Sequence, residues 1–331
     1  MKELPAIVAA LSSPGASPAV LATLVSVEGS SYRRPGARLL LTGTGIRIGS
    51  ISGGCLEEDV LTRARQVLAT GTPEAVVYDT TSENDLVWGV GLGCHGVVRV
   101  LIERISPPVP WLSVLAANSL RRRPTALTVV HGGVETTSWG TRLAAPGDCD
   151  DPGALFLEDV APPPALCVFG AGDDAQPLVH LAAALGWDIT VADPRATFCT
   201  KDRFPAARRH LVAPAAQLVA AAAPEPDALA VVMTHHYVHD VPILRDLLAR
   251  PLGYVGLLGP RQRAERILAD IAAGGASVDA GARARLHAPV GLDLGADGPE
   301  QVALSILAEM QAVRSGRDAR PLRERRRPIH G

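Results

Sequence analysis

The sequence predicts a two-part α/β protein: a mixed α/β domain with hairpins over residues 1–160, then a doubly wound parallel sheet over 161–331. Three observations carry this reading. A chain of 331 residues exceeds one ordinary hydrophobic core. Proline clusters at Ser106-Pro107-Pro108-Val109-Pro110 and Ala161-Pro162-Pro163-Pro164 punctuate it. Beyond Ala165 short aliphatic runs alternate with helical segments, whereas the earlier runs are joined by glycine-rich turns.

Taken in order, Val20 to Val27 is rich in aliphatic and β-branched residues and reads as a strand. Arg38 to Leu41 and Ile46 to Ile51 form a hairpin around Thr42-Gly43-Thr44-Gly45. Glu57 to Leu68 carries Val60, Leu61, Ala64 and Leu68 at helical spacing. Val76 to Tyr78 and Val97 to Ile102 are strands. The middle segment, assigned to the first domain, holds a helix over Trp111 to Leu120 and a hairpin of Ala126 to Val130 with Glu135 to Leu143. In the second domain, strands are expected at Leu166 to Phe169, Asp188 to Ala192, Ala230 to Thr234 and Tyr254 to Leu258. Helices are expected at Asp174 to Leu185 and Pro260 to Ala272, with a further helix and a basic tail at the C-terminus.

Composition excludes several classes. Lys plus Arg (32) against Asp plus Glu (34) gives a net charge of -2, without the basic face that phosphate-held nucleic acid requires. The basic run Arg317 to Arg327 reads first as a solvated tail and second as a segment that docks a partner. Five cysteines are an odd count and no disulfide framework, so reduced thiols and a cytoplasmic protein are expected. The apolar stretch ending at Leu11 is spoiled as a secretory signal by Glu3 and Pro5. No run approaches the roughly 20 apolar residues of a membrane span.

Cys167-Val168-Phe169-Gly170-Ala171-Gly172-Asp173-Asp174-Ala175 is a strand followed by G-x-G-x-x-A, the mark of a Rossmann-like crossover. Gly170 is expected to make the turn, Gly172 to admit a pyrophosphate and Ala175 to let the helix pack close. Asp193 ends the next strand, where an acid binds a ribose 2′-hydroxyl, which favours NAD. Arg195 nearby would suit the 2′-phosphate of NADP instead. The competing reading is a crossover with nothing bound, because Asp173 and Asp174 suit a helix dipole and repel phosphate. Met233-Thr234-His235-His236-Tyr237-Val238-His239-Asp240 follows a strand end, so His235 is a ligand-contact and acid/base candidate, although clustered loop histidines are more often caps. Gly259 opens a second strand-to-helix turn, with Arg261 and Arg263 placed to meet an anion.

Two further loops carry cysteine among glycines: Ser52-Gly53-Gly54-Cys55-Leu56-Glu57 and Gly91-Leu92-Gly93-Cys94-His95-Gly96. A helix start lowers a thiol pKa, and glycine-dense loops expose amides to anions or heteroatom-rich rings. Taken singly each cysteine is better explained as a small buried residue; the matched pair points to function. Cys149, Cys167 and Cys199 have no such context and read as structural.

These loops, with Ser31-Tyr32-Arg33-Arg34-Pro35-Gly36-Ala37-Arg38, resemble the XdhC/CoxI family of xanthine dehydrogenase accessory factors. The resemblance continues through Val168 to Gly172, Val191 to Arg195, Met233-Thr234-His235, Gly256 to Arg261, Ala288 to Gly295 and Ser305 to Glu309. It implies a molybdenum-cofactor chaperone that binds molybdopterin, supports exchange of its terminal oxo ligand for sulfur and delivers it to an apo molybdenum hydroxylase. A cysteine desulfurase and a second copy of the chain, as a homodimer, are the other partners it suggests. On this reading Arg33, Arg34 and Arg38 with the Gly53, Gly54 and Gly93 amides hold the anion. Cys55 and Cys94 ligate or protect the molybdenum, or relay persulfide sulfur. The sequence departs from the family at His95, His236 and Asp173. The competing reading is an NAD(P)-dependent oxidoreductase acting on a small molecule at the domain interface, with His235 and His95 as the imidazoles nearest the hydride path.

Overall fold

A computed structural model describes residues 3–13, 15–54, 56–79, 96–133, 135–151 and 153–326. The chain divides into two compact units, one up to Pro162 and one from Pro163 to Arg326.

The first unit begins with helix α1 (Glu3–Ser12), read in the sequence only as a short apolar stretch. Leu4, Ile7 and Leu11 form its buried stripe. Strands β1 (Ala19–Gly29), β2 (Arg38–Thr42) and β3 (Arg47–Gly49) follow, then α2 (Glu57–Thr70), β4 (Glu74–Asp79) and β5 (Gly96–Ile105). The strands make one antiparallel sheet in the order β3-β2-β1-β5-β4. The hairpin turns where predicted, with Gly45 at φ 85° and its amide donating to the Thr42 carbonyl.

β1 is buried on both faces. Val20, Ala22 and Leu24 pack with Val60, Leu61, Ala64 and Val67 of α2. Ala19 and Leu21 pack on α1 and on Trp111, Leu112 and Leu115 of α3 (Pro110–Leu120). Beyond α3 a smaller antiparallel sheet, β7-β6-β8, is built from β6 (Thr125–Val130), β7 (Gly140–Leu143) and β8 (Leu155–Val160). The predicted hairpin arm from Glu135 is therefore shorter than expected. Thr136–Ser138 forms a three-ten turn, because the Ser138 amide and hydroxyl both donate to the Glu135 carbonyl and take that stretch out of the ladder.

The second unit runs β9 (Ala165–Phe169), α4 (Ala175–Ala184), β10 (Asp188–Ala192), β11 (Arg209–Leu211), α5 (Ala215–Ala222), β12 (Leu229–Val232) and α6 (Tyr237–Leu248). It continues with β13 (Tyr254–Leu257), α7 (Arg261–Ala273), α8 (Ala280–Ala284), β14 (Leu286–His287) and α9 (Pro299–Arg314). All its strand pairings are parallel, in the order β11-β10-β9-β12-β13-β14. Counted within the unit this is the Rossmann order 3-2-1-4-5-6, reversing between β9 and β12. Strand alternation divides two cores. Leu166 and Val168 face α4 and α9, while Cys167 and Phe169 face α5, α6 and α7. No helix among the described residues is long and apolar enough to cross a membrane. Residues 317–326 are mostly exposed.

Candidate functional site

The first candidate is the glycine loop between β3 and α2. Ser52 organises it. Its hydroxyl accepts from the amides of Gly54 (3.1 Å) and Leu56 (3.2 Å) and donates to Glu57. The Glu57 carboxylate accepts the Ser52 amide in return at 2.9 Å. Burial alone would raise the Glu57 pKa, but the Ser52 hydroxyl and amide outweigh it and hold the carboxyl below its usual range. Glu57 is thus the clasp of the loop. Gly54 sits at φ 115°, a conformation open to glycine.

Against this loop lies an open cleft of about 740 Å³, lined by Tyr32, Arg47, Ser50, Gly53, Thr62 and Arg65 among others. The exposed Tyr32 ring stands over Gly53, 3.8 Å from where a Cβ would be. Cys55 follows Gly54 directly in the chain but lies, with Gly93, Cys94 and His95, outside the described residues.

The three arginines expected to hold an anion here are distributed differently. Arg34 is exposed. Arg33 is committed to Glu3 at 2.5 Å and donates to Ser50 Oγ at 3.2 Å. Arg38 is a correction: it is fully buried, donating to the Gly36 carbonyl (2.9 Å) and to Glu158 (2.7 Å). Its strand position turns it inward, so it ties β2 to β8 and offers nothing to a ligand. Arg47 and Arg65 face the cleft instead. Sequence reasoning passed over both, although Glu58, Thr62 and Arg65 recur at i, i+4 and i+7 on one face of α2.

The second candidate is the mouth of the parallel sheet at its reversal. Gly170 has φ 120°, and a Cβ there would lie 2.4 Å from the Met233 carbonyl oxygen. The exits of β9 and β12 therefore touch, which by itself demands glycine. Ala175 is fully buried in the α4 core, as expected. Gly172 does not present a bare face. A Cβ on it would lie 2.5 Å from Asp174 Oδ1, and the other oxygen of that carboxylate lies 2.7 Å from His235 Nε2. His235 is held at φ 60°. It is brought to the mouth as predicted, but paired with an aspartate.

Asp193 requires a second correction. It is fully buried, and its oxygens accept from the Ala171 amide (2.7 Å) and the Arg195 amide (2.8 Å). The Arg195 guanidinium adds a fork at 2.9 and 2.8 Å and stacks 4.1 Å from the Phe198 ring centroid. Burial would raise the Asp193 carboxyl, but Arg195 and the two amides hold it below its usual range. Asp193 is thus fully committed within the fold, while Arg195, forked onto it, keeps about a third of its side chain exposed (34%). Arg203 completes the clamp, donating to the Ala171 carbonyl (2.9 Å) and Asp173 (2.6 Å).

Beyond β13, Gly259 is at φ 132° and Arg263 pairs with the buried Asp240 at 2.6 Å. Arg263 therefore ties α7 to α6, while Arg261 is exposed. Near the C-terminus Glu309 accepts from the buried Tyr254 hydroxyl (2.5 Å) and the Gly291 amide (2.9 Å), and Ser305 donates to the Leu292 carbonyl. These residues pin the loop after β14 onto α9. Among the described residues no cluster of three or more His, Cys, Asp or Glu is arranged to hold a metal. Cys167 and Cys199 are buried and Cys149 is exposed.

Comparison with known proteins agrees with both halves of this architecture. Residues 15–79 match the model of the XdhC and CoxI family, and residues 166–310 match the XdhC Rossmann domain. A Bacillus subtilis protein named as a probable xanthine dehydrogenase component is 35% identical over 318 residues, spanning 89% of this chain and 93% of that protein. The molybdenum cofactor insertion chaperone PaoD of Escherichia coli is 26% identical over 305 residues, 89% of this chain and 83% of its own. The crystal structure of a xanthine dehydrogenase from Bacillus halodurans superposes with a TM-score of 0.82 at 31% identity, covering 97% of this chain and 99% of that one. With its glycine loop, its Rossmann-ordered sheet and full-length relatives in common, this chain belongs to the XdhC and CoxI family.

Proposed function

We propose that this protein is an accessory factor for a xanthine-dehydrogenase-type enzyme. It binds a molybdenum cofactor as cargo, supports sulfuration of the metal and hands the cofactor to the apo molybdenum hydroxylase. The observation that carries this reading is the cleft against the Ser52–Glu57 loop. It is roomy, polar and open, and the chain places a cysteine directly after its exposed Gly54. A soft thiolate suits molybdenum, and glycine amides with nearby guanidiniums suit the cofactor's anionic end. Cys94 would supply the second thiolate. A cysteine desulfurase would deliver sulfur as persulfide to one of these cysteines. The reduced thiols this requires suit a cytoplasmic protein, and a homodimer is the assembly we assign to it.

The residues of the Rossmann mouth fit NAD poorly. The side chains that would meet the ribose and pyrophosphate are engaged with one another. Direct dehydrogenase chemistry through His235 is accordingly the weaker reading.

The test is purification from cofactor-replete cells, followed by molybdenum and pterin analysis. The parent should carry both in near-stoichiometric amounts, and Cys55→Ala with Cys94→Ala should lose them while keeping the parent's circular dichroism. A double variant that retains cofactor as the parent does would remove the cysteines from the site.

A further inference from the structure

We propose that Arg47 and Arg65 form a phosphate-binding pair on the two walls of the glycine-loop cleft, and that they take the phosphate monoester of the cofactor. This rests on the function proposed above and assigns the cargo's anionic end to residues on which neither motif nor family resemblance bears.

The first unit divides its guanidiniums between paired and unpaired ones. Arg33 pairs with Glu3, Arg38 with Glu158, Arg63 with Asp59 and Glu74, and Arg142 with Asp148. Arg47 and Arg65 are exposed and make no hydrogen bond or ion pair among the described residues, yet both line the same cleft. They reach it from different elements. Arg47 opens β3, paired in register with Leu41. Arg65 lies two turns into α2, one turn beyond the buried Leu61, at the exposed edge of the helix's buried face.

The lining sets two carboxylates, Glu57 and Glu58, beside these two guanidiniums. Glu57 is buried and taken by the Ser52 hydroxyl and amide. Glu58 is exposed in the first turn of α2, so the pair would hold a phosphate by its forked N–H donors rather than by an excess of positive charge. Two forked cations facing one polar cleft match the geometry of a phosphate, which accepts paired N–H donors from each guanidinium. The cleft has the volume of a small-molecule site. At its edge the Tyr32 ring over Gly53 supplies a flat apolar surface, so an anionic end and a planar heterocycle can be held together.

The experiment has two arms. In the first, molybdenum cofactor released anaerobically from a donor enzyme is added to the parent, to Arg47→Ala/Arg65→Ala and to Arg47→Lys/Arg65→Lys, and bound pterin is counted after gel filtration. The alanine pair should lose roughly ten- to a hundredfold in affinity. The lysine pair should lose less, because it keeps the charge without the fork. Both side chains are exposed, so thermal unfolding should be unchanged. An alanine pair that binds within about twofold of the parent overturns the proposal.

In the second arm inorganic phosphate is titrated and followed by phosphorus NMR. If the parent retains no pterin, the functional reading falls, and this arm decides the subsite alone. A parent that binds phosphate and an alanine pair that does not uphold it; a parent with no affinity for phosphate overturns it.

Discussion

Replacing Asp174 by alanine should open the Rossmann mouth to dinucleotides, and the size of the effect follows from the structure. The carboxylate lies against Gly172 and is 20% exposed, with His235 as its partner at 2.7 Å. A pyrophosphate seated on Gly172 would bring like charges to about 4 Å, worth about 4 kcal/mol of repulsion at an effective dielectric near 20. His235 and solvent screen part of this, leaving roughly ten- to a hundredfold in affinity. Asp174 makes no capping hydrogen bond to α4, so the variant should keep its fold. Calorimetric titration with NAD and with NADP should give a parent weaker than about 1 mM and a variant at least about tenfold tighter, more so at low salt. A parent that binds either dinucleotide in the micromolar range, or a variant no tighter than the parent, would refute the reasoning and restore the oxidoreductase reading.

Two stability predictions rest on buried positions. Gly170→Ala should destabilise the second unit by about 3 kcal/mol or more, because the Cβ meets the Met233 carbonyl at 2.4 Å in a backbone conformation at φ 120°; a denaturant midpoint equal to the parent's would contradict this. Glu103 is buried, accepts from the Thr141 amide at 2.9 Å and from its hydroxyl, and has its carboxyl raised by burial above the usual 4.5 despite those bonds and the Arg38 charge. A raised folded value means stability present below that figure and lost as pH rises through the folded pKa. Glu103→Gln should therefore gain on the parent as pH rises from 4.5, measured by unfolding at several pH values; a difference that stays flat or shrinks would count against the ionisation argument.

The sequence alone determined most of the secondary structure and the parallel topology. Alternation of short aliphatic strands with helices dictates right-handed crossovers, and β9, β10, β12 and β13 follow from that local pattern, whereas the two short edge strands β11 and β14 are defined only by their pairing with β10 and β13. Gly170 and Ala175 were legible for the same reason, since turn geometry and close helix packing are set within a few residues. The short apolar stripe of α1 and the strand β8 were not, because each is stabilised by partners far along the chain.

Only the tertiary structure decided what the site residues do. The motif around Gly172 promises a bare phosphate seat, and His235, distant in sequence, fills its flank by pairing with Asp174. Arg38 reads as a ligand cation beside Arg33 and Arg34, until β8 folds over it and Glu158 takes its charge. Arg47 and Arg65 become neighbours of one cleft because a hairpin and a helix return to the same edge. Periodicity reports which face of an element is buried. Which charges meet across that face depends on contacts between distant segments, and those leave no local pattern to read.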